Sequence, residues 1–239
     1  MTPWLPYCGP GSTPSDWLSR WNADPVVLAG FAGLVVLIVA RGSRSRALGF
    51  AALAVLALAF VSPLCALSSA LFAARTVHHV LLVAVAAPLI AWALPRRPVG
   101  PLALATVVQA VAFWAWHAPG AYALALSSDA AYWAMQGSVL GTAVWFWMGV
   151  RHARMPAAVI ALLAAMVAMG LLGALITFAE APLYAPHLLT TQAWGLTPLE
   201  DQQTAGLIMW APAAAIYLAA ALLALGRWIG PERPTARPA

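Results

Sequence analysis

Residues 156–179 read PAAVIALLAAMVAMGLLGALITFA, a run without one charged, amide or histidine side chain. A helix rises about 1.5 Å per residue, so about 20 such residues span the hydrocarbon core of a bilayer. Working outward, six further runs share the character: 25–41, 47–64, 72–94, 101–117, 131–150 and 198–228. Proline, glycine or charge bounds each of them, as at Asp24-Pro25, Ser62-Pro63, Pro95-Arg96-Arg97-Pro98, His117-Ala118-Pro119-Gly120 and Pro182. Their length and their alanine and leucine content favour helix over strand. Composition agrees: 63% of the 239 residues are hydrophobic and 8% charged, where a soluble domain carries about 25% charged residues. Lipid must cover what charge does not. The sequence therefore predicts an all-α, polytopic integral membrane protein with seven transmembrane helices. Its transmembrane domain covers 25–230, after an outer segment 1–24 and before a short cytoplasmic tail 231–239.

Charge placement sets the expected orientation. All twelve basic residues are arginines. With alternating helices, Arg41, Arg44, Arg46, Arg96, Arg97, Arg151, Arg154, Arg227, Arg233 and Arg237 fall on one side, and only Arg20 and Arg75 on the other. Excess arginine marks the cytoplasmic side, so the N-terminus is expected outside and the C-terminus inside. A net charge of +5 suits nucleic acid in principle, but short clusters between apolar runs fit topology instead. The first 24 residues have neither a basic start nor an apolar run. No cleavable signal is expected there, and the first membrane helix serves as the targeting signal.

Ionisable groups at membrane depth are costly and default to functional candidates. His78, His79 and His117 lie on the expected outer half, His187 in an outer loop, and His152 on the cytoplasmic side. Met135 and Met209 sit within one to three turns of the same surface. Imidazole with thioether suits copper, methionine favouring Cu(I). The plainer reading has the histidines bonded to backbone or headgroups and the methionines filling gaps. His78 and His79 point about 100° apart on a helix, too far to share one ion. Arg75 shares the His79 face one turn outward, and its charge opposes a metal.

The stretch Thr197-Pro198-Leu199-Glu200-Asp201-Gln202-Gln203 matches a helix-opening capping box. Glu200 and Asp201 also suit the helix dipole. The same acids are alternatively orienting partners for the histidines, or ion-pair partners for Arg75. Gln202 and Met209 are seven residues apart and share a face. Cys8 and Cys65, both on the expected outer side, are open to three readings: a disulfide, a copper-handling pair, or two unrelated thiols. No nucleotide or haem motif stands out, and no polar file crosses the first two helices, so neither an enzyme nor a permease is expected.

Several stretches resemble the bacterial cytochrome c oxidase assembly factors of the CtaG kind. They are Ser62-Pro63-Leu64, Phe72 through Leu82, Trp116-His117-Ala118-Pro119 with Tyr122, and Leu172-Gly173-Ala174-Leu175. The most specific is Trp194-Gly195-Leu196-Thr197-Pro198-Leu199-Glu200-Asp201-Gln202-Gln203, followed by Gly206-Leu207-Ile208-Met209-Trp210. The resemblance implies a multi-pass protein of the bacterial inner (plasma) membrane that helps mature haem-copper oxidases, with oxidase subunits as partners and copper as the metal. It carries His79, His117, Glu200, Asp201 and Gln202 over as site positions. Three departures stand out. The family usually has histidine where this chain has Arg75, glutamine at His78, and a Glu-His pair at Met135-Gln136. Either the site is rebuilt with His78 and Met135, or metal binding is lost and a structural role kept, as in a permanent non-catalytic oxidase subunit.

Overall fold

The computed structural model describes residues 5–40, 43–97 and 99–229. Arg41, the Arg44 side chain, Arg233, Arg237 and the tail 231–239 lie outside the described residues. Every apolar run is helical, and no strand occurs among the described residues. The helices are α1 (Pro25–Ala40), α2 (Ser43–Phe60), α3 (Leu64–Ala70), α4 (Phe72–Ala93), α5 (Leu102–His117), α6 (Pro119–Ala125), α7 (Asp129–His152), α8 (Met155–Thr177) and α9 (Pro198–Ile229).

Two of these were expected as loops. Pro63 and Pro119 cannot continue the preceding hydrogen-bond ladder, yet each is a good first-turn residue for a new helix. The chain therefore bends by 42° between α2 and α3 and by 78° between α5 and α6 instead of unwinding. Among the described residues three helices, α4, α8 and α9, are each long and apolar enough to cross a membrane, or five if each bent pair is one span. Exposed Val36, Val111, Ile160, Leu175 and Leu222 give their outer faces an apolar surface that suits lipid.

Proline also shapes α4 and α9 from within. Residues 81–86 and 209–213 form wider π turns, next to Pro88 and around Pro212, as expected where a ring replaces an N–H. The Trp147 indole donates to the Val83 carbonyl at 2.8 Å, supplying a donor within the first of these turns. At the far end of α4, Arg151 donates to the Ala91 and Leu94 carbonyls at 2.7 and 2.9 Å. A cation there suits the negative end of the helix.

Helices α8 and α9 meet backbone to backbone. A Cβ on Gly206 would lie 2.6 Å from the Gly173 carbonyl oxygen, and one on Gly173 2.7 Å from that of Gly206. Only glycine permits this approach.

The segment before α1 is fastened across one end of the bundle. Cys8 and Cys65 form a disulfide, the first of the three sequence readings. Tyr7 stacks on Tyr132 at 4.8 Å and donates to Asp24 at 2.5 Å, which holds the Asp24 carboxyl below the usual range. Trp194 donates to the Ser12 carbonyl, and Asn22 to that of Phe60.

Candidate functional site

Helix α4 carries the polar cluster into the interior. Arg75, Thr76, His78 and His79 are all fully buried, with His117 of α5 and Tyr132 of α7 among their neighbours. The His78 and His79 rings meet edge-on at 5.8 Å and have different further neighbours. His78 meets Phe60 of α2 edge-on at 5.0 Å, while His79 faces His117 of α5, ring centroids 5.3 Å apart.

His117 is oriented by its own helix. Its Nδ1 lies 2.7 Å from the Phe113 carbonyl. A carbonyl only accepts, so Nδ1 carries the proton and Nε2 keeps a lone pair. That Nε2 is buried without a partner, as are both ring nitrogens of His79. Met135 and Met209 are fully buried as well, and the Cβ of Met209 packs against Gly173.

The acidic segment divides its work: Glu200 completes the expected capping box, and Asp201 caps another helix. Glu200 is exposed, and its carboxylate accepts from the Thr197 N–H at 2.7 Å and hydroxyl at 2.8 Å, completing the capping box. Asp201 is fully buried and reaches across to α4, accepting from the N–H groups of Phe72 at 2.7 Å and Ala73 at 3.1 Å. No side chain of its own segment caps α4, so Asp201 caps it from another helix. Gln202 accepts from the Leu183 N–H at 2.6 Å and donates to the Ile176 and Ala181 carbonyls at 3.3 Å. These groups fasten α9, α4 and the preceding loop together.

Arg75 is thus not paired with Glu200 or Asp201, contrary to one expectation. Arg20–Asp16 is the one ion pair among the described residues. The Arg75 guanidinium lies 5.4 Å from the Tyr132 ring centre, and none of its nitrogens makes a hydrogen bond. The Tyr122 and Tyr132 hydroxyls lie beside it without completing one.

Sequence reasoning gave no role to Tyr184 and left His187 only as a loop histidine, yet the loop that carries them closes the cluster. His187 is buried; its Nδ1 faces the Ala70 carbonyl at 3.2 Å and its Nε2 the Tyr122 hydroxyl at 2.7 Å. Burial lowers its pKa to about 3, so it is neutral near pH 7. Tyr184 donates to the His117 carbonyl at 2.8 Å and stacks on Phe72 at 3.8 Å. Gln136 of α7 is also buried, its amide unpartnered. The legible signal was the aromatic residues with polar tips, which need an apolar body buried and a partner at the end.

The donor set fits a soft, low-coordinate ion better than a tetrahedral one. No group of three or more His, Cys, Asp or Glu side chains is placed to hold a metal among the described residues. A closed zinc site needs four ligands. The facing imidazoles of His79 and His117 match the nitrogen-donor preference of copper, whereas the Arg75 charge opposes any cation.

An apolar helical bundle with a buried His/Arg core, strapped at one end, defines the class: an all-helical membrane protein. Residues 97–230 match the family model described as cytochrome c oxidase caa3 assembly factor, Caa3_CtaG, and the chain belongs to that family. The match covers His117, Met135, Met209 and the Glu200–Gln202 segment, and leaves Arg75, His78 and His79 upstream. Neither the curated proteins nor the solved structures searched gave a match.

Proposed function

We propose that this protein works in the bacterial plasma membrane as an assembly factor for a haem-copper oxidase, holding Cu(I) between His79 and His117 on the outer side for transfer to oxidase subunits. The topology in this reading is seven spans, with residues 1–24 outside, the transmembrane domain over 25–230 and the tail 231–239 inside. The carrying observation is the His79–His117 pair at 5.3 Å, with its unpartnered nitrogens, in a member of an oxidase assembly family. A metal ligand must be a neutral imidazole, and the Phe113 carbonyl fixes the His117 tautomer that presents Nε2. Met135 and Met209 are the thioether candidates, and His78, turned toward Phe60, is an alternate imidazole. Here copper is cargo, and no catalytic residue is assigned.

A second reading is a permanent, non-catalytic oxidase subunit. Arg75 favours it, because a cation stands where the family usually has a histidine. Deleting the gene tests the shared part of both readings: assembled oxidase should fall while unrelated membrane complexes stay constant. Unchanged oxidase activity and copper content in low-copper medium would refute an assembly role. Co-purification with the oxidase at fixed stoichiometry through mild detergent would select the subunit reading.

A further inference from the structure

Arg75 is a fully buried charge, and among the described residues none of its nitrogens makes a hydrogen bond and no acid pairs with it. A buried charge in this condition is strongly disfavoured unless something neutralises it. The buried acid that bonds to the same helix is already engaged: Asp201 gives its two oxygens to the backbone of Phe72 and Ala73. The Tyr132 ring face offsets part of the cost, since cation–π attraction is modest beside full ionic pairing.

The groups around Arg75 point to what completes it. The guanidinium has only N–H donors and no acceptor. The Tyr122 and Tyr132 hydroxyls lie beside it, Gln136 of α7 brings an unpartnered amide to Tyr132, and His187 is neutral. A water molecule would accept from Arg75 but leave its charge in place. A metal ion would add to it. We propose that Arg75 forms, with Tyr132 and Gln136, a binding site for a small monovalent anion of the chloride class.

Size follows from enclosure. Arg75, Tyr132, His78 and Gln136 are at most 1% exposed, and the strap covers the outer end through Cys8–Cys65 and the Tyr7–Tyr132 stack. This fits a halide and not a phosphate with substituents. The inference does not rest on copper, although a resident anion would lower the positive potential that His79 feels.

The test uses copper-free, full-length protein in mild detergent, exchanged into gluconate and then titrated with chloride or bromide at constant ionic strength. Halide should raise the melting temperature saturably by roughly 4–8 °C, and Arg75→Met should abolish the dependence. A wild-type protein indifferent to halide, or Arg75→Met retaining the response, would overturn the proposal. If Arg75→Met does not fold, bromide-soaked crystals of the wild type decide: an anomalous peak against the guanidinium supports the site, and its absence overturns it. A bound phospholipid mass in native mass spectrometry, with no halide response, would assign the counter-charge to a lipid phosphate and also overturn it.

Discussion

Asp201→Ala should destabilise the protein strongly although residue 201 touches no histidine. The carboxylate accepts from two buried N–H groups, Phe72 at 2.7 Å and Ala73 at 3.1 Å, at the start of the helix that carries Arg75, His78 and His79. A buried donor left unsatisfied costs about 1–3 kcal/mol, and loss of a negative charge at a helix N-terminus adds up to about 1 kcal/mol. Alanine is therefore expected to cost about 3–5 kcal/mol. Asparagine keeps one oxygen for one of the two N–H groups and should lose about 1–2 kcal/mol. Thermal unfolding of purified protein in detergent, at a fixed scan rate because unfolding can be irreversible, should place the Ala midpoint lower by on the order of 10 °C. Hydrogen exchange adds the local readout: the amides of residues 72 and 73 should both exchange faster in the Ala variant, and one of the two in the Asn variant. An Ala variant that melts within 1 °C of wild type, with those amides still protected, would refute the capping role.

Two further outcomes follow from packing and burial. Gly206→Ala should cost about 1–3 kcal/mol, because its Cβ would meet the Gly173 carbonyl at 2.6 Å, whereas Gly170→Ala, 3.6 Å from a Trp210 ring carbon, should be neutral or slightly stabilising; equal melting midpoints would contradict this. His187 has its folded pKa lowered by burial to about 3, against about 6.5 when unfolded. Below about pH 6.5 the unfolded state binds a proton that the folded state does not, so stability present above that pH is lost as pH falls toward 3, by up to about 1.4 kcal/mol per unit. Subtracting the pH profile of His187→Gln from that of wild type isolates this slope, and identical profiles would contradict it.

The helical architecture was legible because apolar runs of membrane length leave little choice of structure. The Thr197–Glu200 capping box was equally legible, since its partners lie three residues apart and need no tertiary information. What sequence could not reveal depends on contacts between distant segments. Asp201 looks like a capping residue for its own helix, yet caps one 129 residues earlier. Arg75 seemed to call for one of the nearby acids, but both were already engaged. Gly173 and Gly206 were indistinguishable from chance spacing in an alanine-rich chain until the helices crossed. Cys8 and Cys65 stayed ambiguous because 57 residues separate them and two cysteines carry no geometry.

The copper account is tested most directly by Cu(I) titration of the purified protein, with X-ray absorption on the loaded sample. It predicts a single tightly held Cu(I) per chain with imidazole nitrogen among its nearest neighbours, lost in both His79→Ala and His117→Ala, while each variant still folds. Arg75→His, which removes the opposing charge, should hold it more tightly. A wild-type protein that retains no copper, or retains it equally after His117→Ala, would contradict the account.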